Sequence, residues 1–356
     1  MFAFLLIVTV LHLSITLVIS MKISSWKSVN ANKKPLISII IAARNESENL
    51  KQLIPALLNQ KYPRFEIIIG LDRCSDQSVG ILENMLSRRI YWIDVQQIPN
   101  DWNSKKYVLN EAIKKAKGEW LVFTDADCMP NSDLWVESLS KEMSDKVEIV
   151  LGVSPYFKNG RFLAEFIRFE AFMTYFLYIG MTLFDKPYMG VGRNLAIKRT
   201  YFDYLEGYNS IKNVRGGDDD LFIQKAKEAN ISVAIGKESL IYSYPSENWN
   251  IYKKQKLRHY SVSSYYQKSD QMILSFYHLL HFCFYVTLPF TVYSNFLLLI
   301  ILFYLFIKSV SYRFVESKVG AGFNYILFPL VDLLYALMVP IVGVWSKLVK
   351  DTIWKN

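Results

Sequence analysis

The apolar residues of this 356-residue chain are concentrated at its two ends. Residues 2–20 are almost wholly apolar, and further apolar runs occupy 272–310 and 323–345. Between them, residues 24–268 mix polar and apolar positions as a water-soluble domain does. As a helix, the first run would be about 28 Å long, close to the hydrocarbon thickness of a bilayer. The pattern therefore predicts an N-terminal membrane anchor over residues 1–23.

A cleaved signal peptide is the main alternative for the first run. Its positive residues would precede the apolar stretch, and a small-x-small cleavage site would follow it. Here no such site is evident, and the basic residues come afterwards: Lys22, Lys27, Lys33 and Lys34. We therefore expect an uncleaved anchor and, by the positive-inside rule, an integral membrane protein whose polar domain faces the cytoplasm.

The C-terminal region, residues 269–346, is predicted to hold two to three membrane helices. Residues 273–292 and 295–310 have the pattern of a helical hairpin that turns at 293–295. A basic tail, residues 347–356, follows the last apolar run.

The last apolar run, residues 323–345, is long enough to cross the membrane. It contains Pro329, Asp332 and Pro340, however, and basic residues lie on both sides of it. By the positive-inside rule, both of its ends are expected on the cytoplasmic side. A crossing helix and a re-entrant or interfacial helix are therefore both open interpretations.

Strand and helix patterns alternate within the polar region. Four short, continuously apolar runs are typical of strands buried on both faces: 36–43, 65–71, 90–95 and 120–124. Helical spacing follows the first three, at 47–60, 76–88 and 105–117, and Gly118 is expected to cap the last of these helices. The alternation predicts an α/β fold with a mostly parallel sheet and right-handed crossovers.

Acidic and polar residues follow three of the predicted strands. Ligands of such sheets bind beyond the carboxyl ends of the strands. Those ends are residues 43–46, 72–76 and 125–127. Carboxylates gathered at one edge are stable only where a cation or hydrogen-bond donors offset their repulsion.

The net charge of +9 lies mostly beside the apolar runs. Basic residues directly ahead of the C-terminal membrane region are suited to anionic head groups or an anionic substrate: Lys253, Lys254, Lys256 and Arg258. Since no recognised nucleic-acid-binding motif accompanies this charge, we expect no nucleic-acid partner.

Cysteine and histidine usage points away from a disulfide or zinc framework. Cys74, Cys128 and Cys283 are odd in number and widely separated, which suits a cytoplasmic domain. His278 and His281 have i, i+3 helical spacing and could hold a metal. At a membrane boundary, packing is the favoured interpretation of such a pair.

The stretch "FTDADCMP" carries the most chemical information. Asp125 and Asp127 lie one residue apart where a buried strand opens into a loop. Their oxygens can converge on Mg²⁺ or Mn²⁺ and leave coordination positions for phosphate oxygens. A solvated loop with aspartate as a turn former is the alternative for a lone D-x-D.

Seven stretches together resemble the membrane-bound glycosyltransferase family 2 enzymes in order and rough spacing, over residues 35–260: "PLISIIIAARNE", "GLDRCSDQS", "WNSKKYVLNEA", "FTDADCMP", "GVGRNLAIKR", "GGDDDLF" and "QKLRHY". The resemblance implies a GT-A fold, a nucleoside-diphosphate sugar donor, a divalent metal (Mn²⁺ or Mg²⁺) and inversion at the anomeric carbon. "DRCSD" is similar to the form found in ceramide glucosyltransferase and hopanoid-type relatives, which favours a lipid acceptor.

The resemblance also implies which residues bind the nucleotide. The donor-binding residues after the first strand are Ala43, Arg44, Asn45 and Glu46, of which the last three line the nucleobase and ribose pocket. Asp72 would contact the base. Lys105 either touches the nucleotide or is an ordinary lysine in the first turn of a helix.

Two further segments are implied to bind the sugar or the diphosphate. Arg193 and Asn194 would offer donors to a sugar or pyrophosphate. Gln255 and Arg258 match the family's Q-x-x-R-W motif, in which the arginine can grip a diphosphate with two parallel hydrogen bonds. His259 stands where tryptophan is usual, so this sequence departs from the motif in the residue on which an acceptor stacks.

The run "GGDDD" places three carboxylates in succession. Successive residues at a helix start point about 100° apart, so the three cannot all face one cleft. Local geometry does not choose among them, although Asp218 can cap the following helix. By resemblance, Asp219 is the catalytic base, Asp218 its partner and Asp220 a solvent or loop contact.

Three functions remain after these considerations. The first is an inverting transferase that moves a sugar to a lipid or other membrane-associated acceptor. The second is a processive polysaccharide synthase, although the chain has few C-terminal apolar runs for a polymer channel. The third is a nucleotide-sugar-binding membrane protein without activity, which would not need the D-x-D or the aspartate run.

Overall fold

The structure is a computed structural model that describes residues 2–85, 87–287, 289 and 295–348. The chain forms two compact units. One unit, here the membrane unit, comprises residues 1–26, 156–183 and 245–356, and the other, the sheet unit, comprises 27–155 and 184–244. Residues 156–183 and 245–268, which we predicted in the polar domain 24–268, thus belong to the membrane unit.

In the part of the sheet unit that the structure describes, nine strands form two sheets. They are β1 (Ile37–Ala43), β2 (Phe65–Asp72), β3 (Ile90–Val95), β4 (Trp120–Asp125), β5 (Cys128–Pro130), β6 (Ile149–Leu151), β7 (Leu195–Lys198), β8 (Ile231–Val233) and β9 (Ile241–Ser243). The larger sheet has the order β3-β2-β1-β4-β7-β6-β8, and β5 pairs with β9.

The larger sheet is mostly parallel, as predicted. β1 pairs in parallel with β2 and β4, and β2 with β3, whereas β7 is antiparallel to β4 and β6. Ala42 lies opposite both Gly70 and Asp125. The carboxyl ends of β2, β1 and β4 therefore lie side by side, which brings the acidic residues that follow them to one edge.

The helices in chain order are α1 (Phe2–Ser24), α2 (Ser47–Leu58), α3 (Ser78–Asn84), α4 (Ser104–Lys115), α5 (Trp135–Ser140), α6 (Phe162–Leu183), α7 (Arg199–Tyr204), α8 (Asp220–Lys225), α9 (Trp249–Val262), α10 (Lys268–Val286), α11 (Asn295–Val319) and α12 (Phe328–Leu348). Helices α2, α3 and α4 confirm the three predicted between the first four strands. Together they place the chain in the α/β class.

We predicted that Gly118 caps the C-terminus of α4, and this prediction is wrong. Ala116 occupies the cap position, with an extended backbone. Gly118 instead donates its backbone N–H to Ser38 Oγ at 2.8 Å, and a Cβ there would lie 2.5 Å from the Ser38 nitrogen. Glycine is thus needed where the chain that enters β4 passes closely over β1.

Among the described residues of the membrane unit, three helices are long and apolar enough to cross a bilayer: Ala3–Ser24, Leu298–Val319 and Phe328–Ser346. One N-terminal and two C-terminal candidate spans agree with the predicted arrangement. Asn295 begins α11, but the rest of the predicted turn at 293–295 and most of the predicted tail lie outside the described residues.

A fully buried polar cluster joins the helices of the membrane unit. Lys308 Nζ lies 2.8 Å and 2.9 Å from the two carboxylate oxygens of Asp332, and 2.9 Å from His281 Nε2. The Tyr304 hydroxyl lies 2.8 Å from His12 Nδ1. Because an unpaired charge in a dry interior is very costly, each partner of the Lys308–Asp332 pair requires the other.

The histidine pair of α10 serves packing and hydrogen bonding in this structure. His281 is held by Lys308 and Asp332, and the His278 ring packs 5.8 Å from the Tyr335 ring. Within the described part of the chain, no three His, Cys, Asp or Glu side chains form a group that could hold a metal ion.

Candidate functional site

The loops after β1 and β2 are joined to each other at the sheet edge. Asn45 Oδ1 accepts a hydrogen bond from the Ser75 backbone N–H at 2.8 Å, and the Asn45 N–H donates to Cys74 Sγ at 3.4 Å. Asn45 and Arg73 both adopt left-handed backbone conformations, with φ of 54° and 46°. Strain of this kind in non-glycine residues persists only where the surroundings hold it, often at binding sites.

Asp72 lies at the end of β2 and is only 2% exposed. Its Oδ1 accepts from Arg73 Nε at 2.7 Å, while its Oδ2 has no hydrogen-bond partner among the described residues. A buried carboxylate oxygen without a donor costs free energy. The sequence-predicted base contact is therefore a position that a hydrogen-bond donor of a ligand would satisfy.

The remaining predicted residues of this edge are not equally accessible. Ala43 is buried at the end of β1, whereas Arg44 and Glu46 are half-buried and Glu46 Oε2 accepts from Asn49 Nδ2 at 2.6 Å. Asp76 is used locally, because its Oδ2 accepts from the Ser47 N–H at the start of α2 at 2.9 Å.

Lys105 joins the D-x-D loop to the aspartate run. Its Nζ lies 3.0 Å from Asp125 Oδ1 and 3.0 Å from Asp218 Oδ2. Burial opposes the charge on Lys105, but the surrounding aspartates, Asp125 first and then Asp218, raise its pKa well above the ordinary value. Lys105 is thus a charged bridge between two motifs and not merely a first-turn lysine.

Asp218 and Asp219 have opposite electrostatic environments. Burial would raise the pKa of Asp218, but the positive charges of Lys105 and Lys106 outweigh it and hold that pKa below the ordinary value. For Asp219, burial and the negative charge of Asp218 raise the pKa. Of the two, Asp219 is therefore the carboxylate that binds a proton more readily.

Asp219 rather than Asp218 occupies the position before α8, which corrects our prediction that the first aspartate caps the helix. Its Oδ1 accepts from the Asp220 N–H at 2.8 Å. Its Oδ2 accepts from the Gly192 N–H at 2.6 Å. Two backbone donors from different segments thus fix the orientation of this carboxylate.

Lys106 is a residue of the site that the sequence interpretation missed. It is fully buried, and its Nζ donates to the carbonyl oxygens of Val214 at 2.7 Å and Gly216 at 2.6 Å. Burial lowers the pKa of Lys106 to about 8. In the sequence, its i, i+3 spacing to Leu109 puts it on the apolar face of α4, which could have indicated that Lys106 is buried.

Asn194, which we predicted to bind the donor, makes hydrogen bonds inside the core of the sheet unit in this structure. It is completely buried, and its Nδ2 donates to the carbonyls of Val153 and Ser239, each at 2.8 Å. Its Oδ1 accepts from Trp135 Nε1 at 3.1 Å. The carboxamide therefore ties together strands and turns of the core, because these three bonds use its polar atoms internally.

Arg193 lies close enough to the D-x-D loop to act on it electrostatically. Burial and the negative charge of Asp127 raise the pKa of the Cys128 thiol well above its ordinary value, and the positive charge of Arg193 opposes this. The Cys128 thiol also lies 3.7 Å from Asp127 Oδ1.

Gln255 and Arg258 lie on α9, in the membrane unit, whereas the other predicted site residues are in the sheet unit. Their i, i+3 spacing puts them on one side of that helix. Gln255 Oε1 accepts from Ser246 Oγ at 3.0 Å, and Arg258 is half-buried.

The donor set at the end of β4 is suited to a hard divalent cation. Asp125 and Asp127 supply carboxylate oxygens, and the ammonium of Lys105 already lies against Asp125. Mg²⁺ is commonly held by one or two carboxylates, with water and substrate phosphates completing its shell. Two aspartates therefore suffice as the protein's contribution to such a site.

Residues 38–205 match the family model described as Glycosyl transferase family 2. The matched segment, just under half of the chain, is similar to that family. It includes Asp72, Lys105, Asp125 and Asp127, and it ends before the aspartate run.

Two curated relatives illustrate the similarity along the sequence. The Probable glycosyltransferase YdaM of Bacillus subtilis (strain 168) is 24% identical over 254 residues, which are 66% of this chain and 57% of the relative. The Poly-beta-1,6-N-acetyl-D-glucosamine synthase of Staphylococcus epidermidis (strain ATCC 35984) is 32% identical over 98 residues, 27% of this chain and 23% of the relative. The match thus covers less than two thirds of either relative.

A solved structure shares the fold over nearly the full length. It is the mannosyltransferase PcManGT from Pyrobaculum calidifontis, in complex with GDP-Man and Mn²⁺. The TM-score is 0.55 at 16% identity, with 97% of this chain and 94% of that chain covered. Together with the mostly parallel sheet, this likeness confirms the predicted GT-A-like α/β fold with candidate membrane helices at both ends.

Proposed function

We propose that this protein is a metal-dependent, inverting glycosyltransferase. It transfers a sugar from a nucleoside-diphosphate sugar to a hydroxyl group of a lipid or other membrane-associated acceptor, with the sheet unit on the cytoplasmic side. The observation that carries the proposal is the Lys105 ammonium, 3.0 Å from both Asp125 and Asp218. This contact supports a single site, at the carboxyl edge of a GT-A-like sheet, that contains both a candidate metal ligand and the two aspartates proposed as the catalytic base and its partner.

The nucleoside would bind at the ends of β1 and β2. Asp72 offers an unsatisfied carboxylate oxygen to a base N–H, and Arg44 and Glu46 flank the same edge. The structural neighbour from Pyrobaculum calidifontis was solved with GDP-Man and Mn²⁺, which supports a diphosphate-sugar donor and a divalent metal here. The metal is Mn²⁺ or Mg²⁺.

Asp125 and Asp127 would hold the metal. When bound, it neutralises charge on the diphosphate leaving group and so stabilises the transition state. Lys105 adds a fixed positive charge beside Asp125. Arg258, on α9, is of the residue type that binds a diphosphate through two parallel hydrogen bonds. Arg193, beside the D-x-D loop, is a further donor to the sugar or diphosphate.

Asp219 acts as the general base in this proposal. It takes the proton of the acceptor hydroxyl while the hydroxyl oxygen bonds to the anomeric carbon and the bond from that carbon to the diphosphate breaks. The raised pKa makes Asp219 a stronger base than an ordinary aspartate, and the two backbone donors orient it. Asp218, neutralised by Lys105, is its partner.

A membrane-associated acceptor is favoured by the candidate membrane helices. The closer relationship to ceramide glucosyltransferase and hopanoid-type enzymes stays a prediction. A processive polysaccharide synthase is the second candidate, because one relative is a Poly-beta-1,6-N-acetyl-D-glucosamine synthase. Product length separates the two: a single added sugar supports the first and a polymer the second.

Donor binding is the direct test of the proposed function. A thermal-shift screen of UDP- and GDP-sugars with Mn²⁺ or Mg²⁺, on the full chain in detergent, should find a donor that stabilises the protein. At 100 times Kd the stabilisation amounts to about 2.7 kcal/mol. Asp125→Asn should abolish the metal-dependent part, with Asp203→Asn, at a side chain 61% exposed, as the matched control. No shift with any donor would contradict the proposal.

The Asp219→Asn variant tests the assignment of the base. We expect kcat to fall by about 10²- to 10⁴-fold, the usual contribution of a positioned base. Donor binding should be kept, because an asparagine oxygen can still accept from a backbone N–H. Asp220→Asn, which removes the same charge one residue later, is the control. Full turnover by Asp219→Asn would show that the base is another residue.

The pH dependence of turnover tests the electrostatic pairing. Asp219 must lose its proton to act, so kcat should rise with pH. The midpoint of this acidic limb should lie above about 3.9, the pKa of an ordinary aspartate. Asp218→Asn removes a negative charge that raises the Asp219 pKa. The limb of that variant should therefore move to lower pH, measured as kcat at saturating donor. A limb that moves to higher pH would contradict this pairing.

Lys106→Met tests whether the buried lysine positions the aspartate run. The change leaves the carbonyls of Val214 and Gly216 without their donor, and small displacements of a reacting group cost about 10- to 100-fold in rate. We expect such a loss in kcat with little change in donor Kd, and faster hydrogen exchange at residues 213–217. Lys114→Met, on the same helix and 62% exposed, is the control. Unchanged exchange and kcat would exclude this role.

A further inference from the structure

We propose that α12 does not cross the membrane. It lies within the leaflet on the side of α9, and its outer apolar residues contact the acyl chains. Helix α10 crosses the membrane away from that side, and α11 crosses back to it. The proposal concerns only the membrane unit and does not depend on sugar transfer. It decides between the two interpretations that the sequence left open for residues 323–345.

Helix α9 marks the water boundary of the membrane unit. Within six residues it carries four cationic side chains: Lys253, Lys254, Lys256 and Arg258. Lys253 and Lys254 are exposed. A helix with this charge density is not stable in hydrocarbon, so α9 must lie among head groups or in water.

The C-terminal half of α12 packs along α9. Met338 Sδ lies 3.3 Å from the Tyr252 hydroxyl. Two turns further on, the ammonium of Lys253 lies 3.8 Å from the centre of the Trp345 ring, a cation–π contact. This end of α12 is therefore at the depth of the lipid head groups.

The segment that enters α12 lies on the same side. Arg168 Nη2, on α6, donates to the Gly322 carbonyl at 2.9 Å. Two residues along, Glu170 accepts from the Tyr252 hydroxyl and from Lys256 Nζ, each at 2.8 Å. One short stretch of α6 thus contacts both the chain that enters α12 and the helix at which α12 ends. The ends of a crossing helix would be about 30 Å apart, on opposite faces.

Helix α11 also ends on that side. The Lys318 ammonium, in its last turn, lies 5.5 Å from the ring of Trp26, which follows α1. His12 and Tyr304 meet near the middle of the same two helices. From the first of these contacts to the second, the residue number rises by the same amount in both segments, from His12 to Trp26 and from Tyr304 to Lys318. Helices α1 and α11 are therefore parallel, and their C-terminal ends lie on the same side of the membrane.

Helix α10 supplies the crossing in the opposite direction. Thr16 Oγ1 lies 3.4 Å from the Tyr277 hydroxyl, and the His12 ring stacks 4.8 Å from the His281 ring. Since higher numbers on α10 meet lower numbers on α1, the two are antiparallel. Among the polar residues of α10, His281 is fully buried and His278 is half-buried against its neighbours. Large apolar side chains are exposed on its outer face: Met272, Phe276, Leu279 and Val286.

The exposed residues of α12 form the surface that faces lipid. Leu330, Ile341 and Val344 are 47%, 60% and 63% exposed and lie on one side of the helix at helical spacing. Asp332 and Tyr335, on the other side, are buried in the protein. Because the protein covers the polar side chain and the cations of α9 lie alongside, the stripe suits acyl chains beneath anionic head groups.

Cysteine labelling in intact cells and inverted vesicles tests the arrangement. In a variant whose three native cysteines are replaced by serine, single cysteines are placed at Ile326, before α12, and at Asn356, after it. Pro289, between α10 and α11, is the reporter for the opposite side. A membrane-impermeant maleimide should label positions 326 and 356 from the same side and position 289 from the other.

Labelling of positions 326 and 356 from opposite sides would overturn the proposal. Epitope tags inserted after Asn324 and appended to the C-terminus, read by antibody before and after permeabilisation, give the same answer with the native cysteines kept. That version guards against a cysteine-free variant that does not fold.

Spin labels measure the depth of α12 directly. Nitroxides at Leu330 and Val344, in protein reconstituted in an equal mixture of phosphatidylethanolamine and phosphatidylglycerol, are separated by about 21 Å along the helix. A helix that stays in one leaflet should place both labels on the α9 side of the bilayer centre. The label at Leu330 should be the deeper of the two, because Asp332 contacts Lys308 near the middle of α11. A Val344 label in the leaflet opposite to α9 would show a crossing helix and contradict the proposal.

Discussion

The ammonium group of Lys105 is the interaction on which the site of the sheet unit depends. Asp125 ends β4, and Asp218 precedes α8, nearly a hundred residues later in the chain. Both carboxylates are partly withdrawn from water, and their mutual repulsion would separate the two segments without a cation between them. Lys105 therefore makes the D-x-D loop and the aspartate run one electrostatic unit, and it leaves Asp219 as the member with the higher proton affinity.

The first turn of α4 has two tasks that adjacent lysines divide. Lys105 binds carboxylates at the mouth of the site, and Lys106 turns inward to the carbonyls of Val214 and Gly216. Gly216 and Gly217 both have positive φ, of 72° and 70°, so the loop can turn its carbonyls toward the lysine. The first turn of α4 thus contacts the aspartate run through the Asp218 side chain and contacts the loop before it through backbone carbonyls.

The parallel sheet was predictable because strands buried on both faces are apolar without interruption, and β2 shows this over its whole length. The edge residues Asp72 and Asp125 followed from strand polarity. Asn194 did not, because a carboxamide that bonds inside the core looks in sequence like one that faces a ligand. The membrane unit was not predictable as a unit, since α6 resembles a core helix and its partners come from distant parts of the chain.

The membrane unit is discontinuous in sequence, and the sheet unit is inserted within it. The chain passes between the two units four times, near residues 26, 155, 183 and 244. Removal of the two ends to leave residues 27–244 would therefore retain α6 without the residues it packs on, such as Ile19 beside Gly180. Such a fragment would present a long apolar helix to water, so the sheet unit cannot be obtained by trimming the two ends of the chain and has to be purified together with the membrane unit.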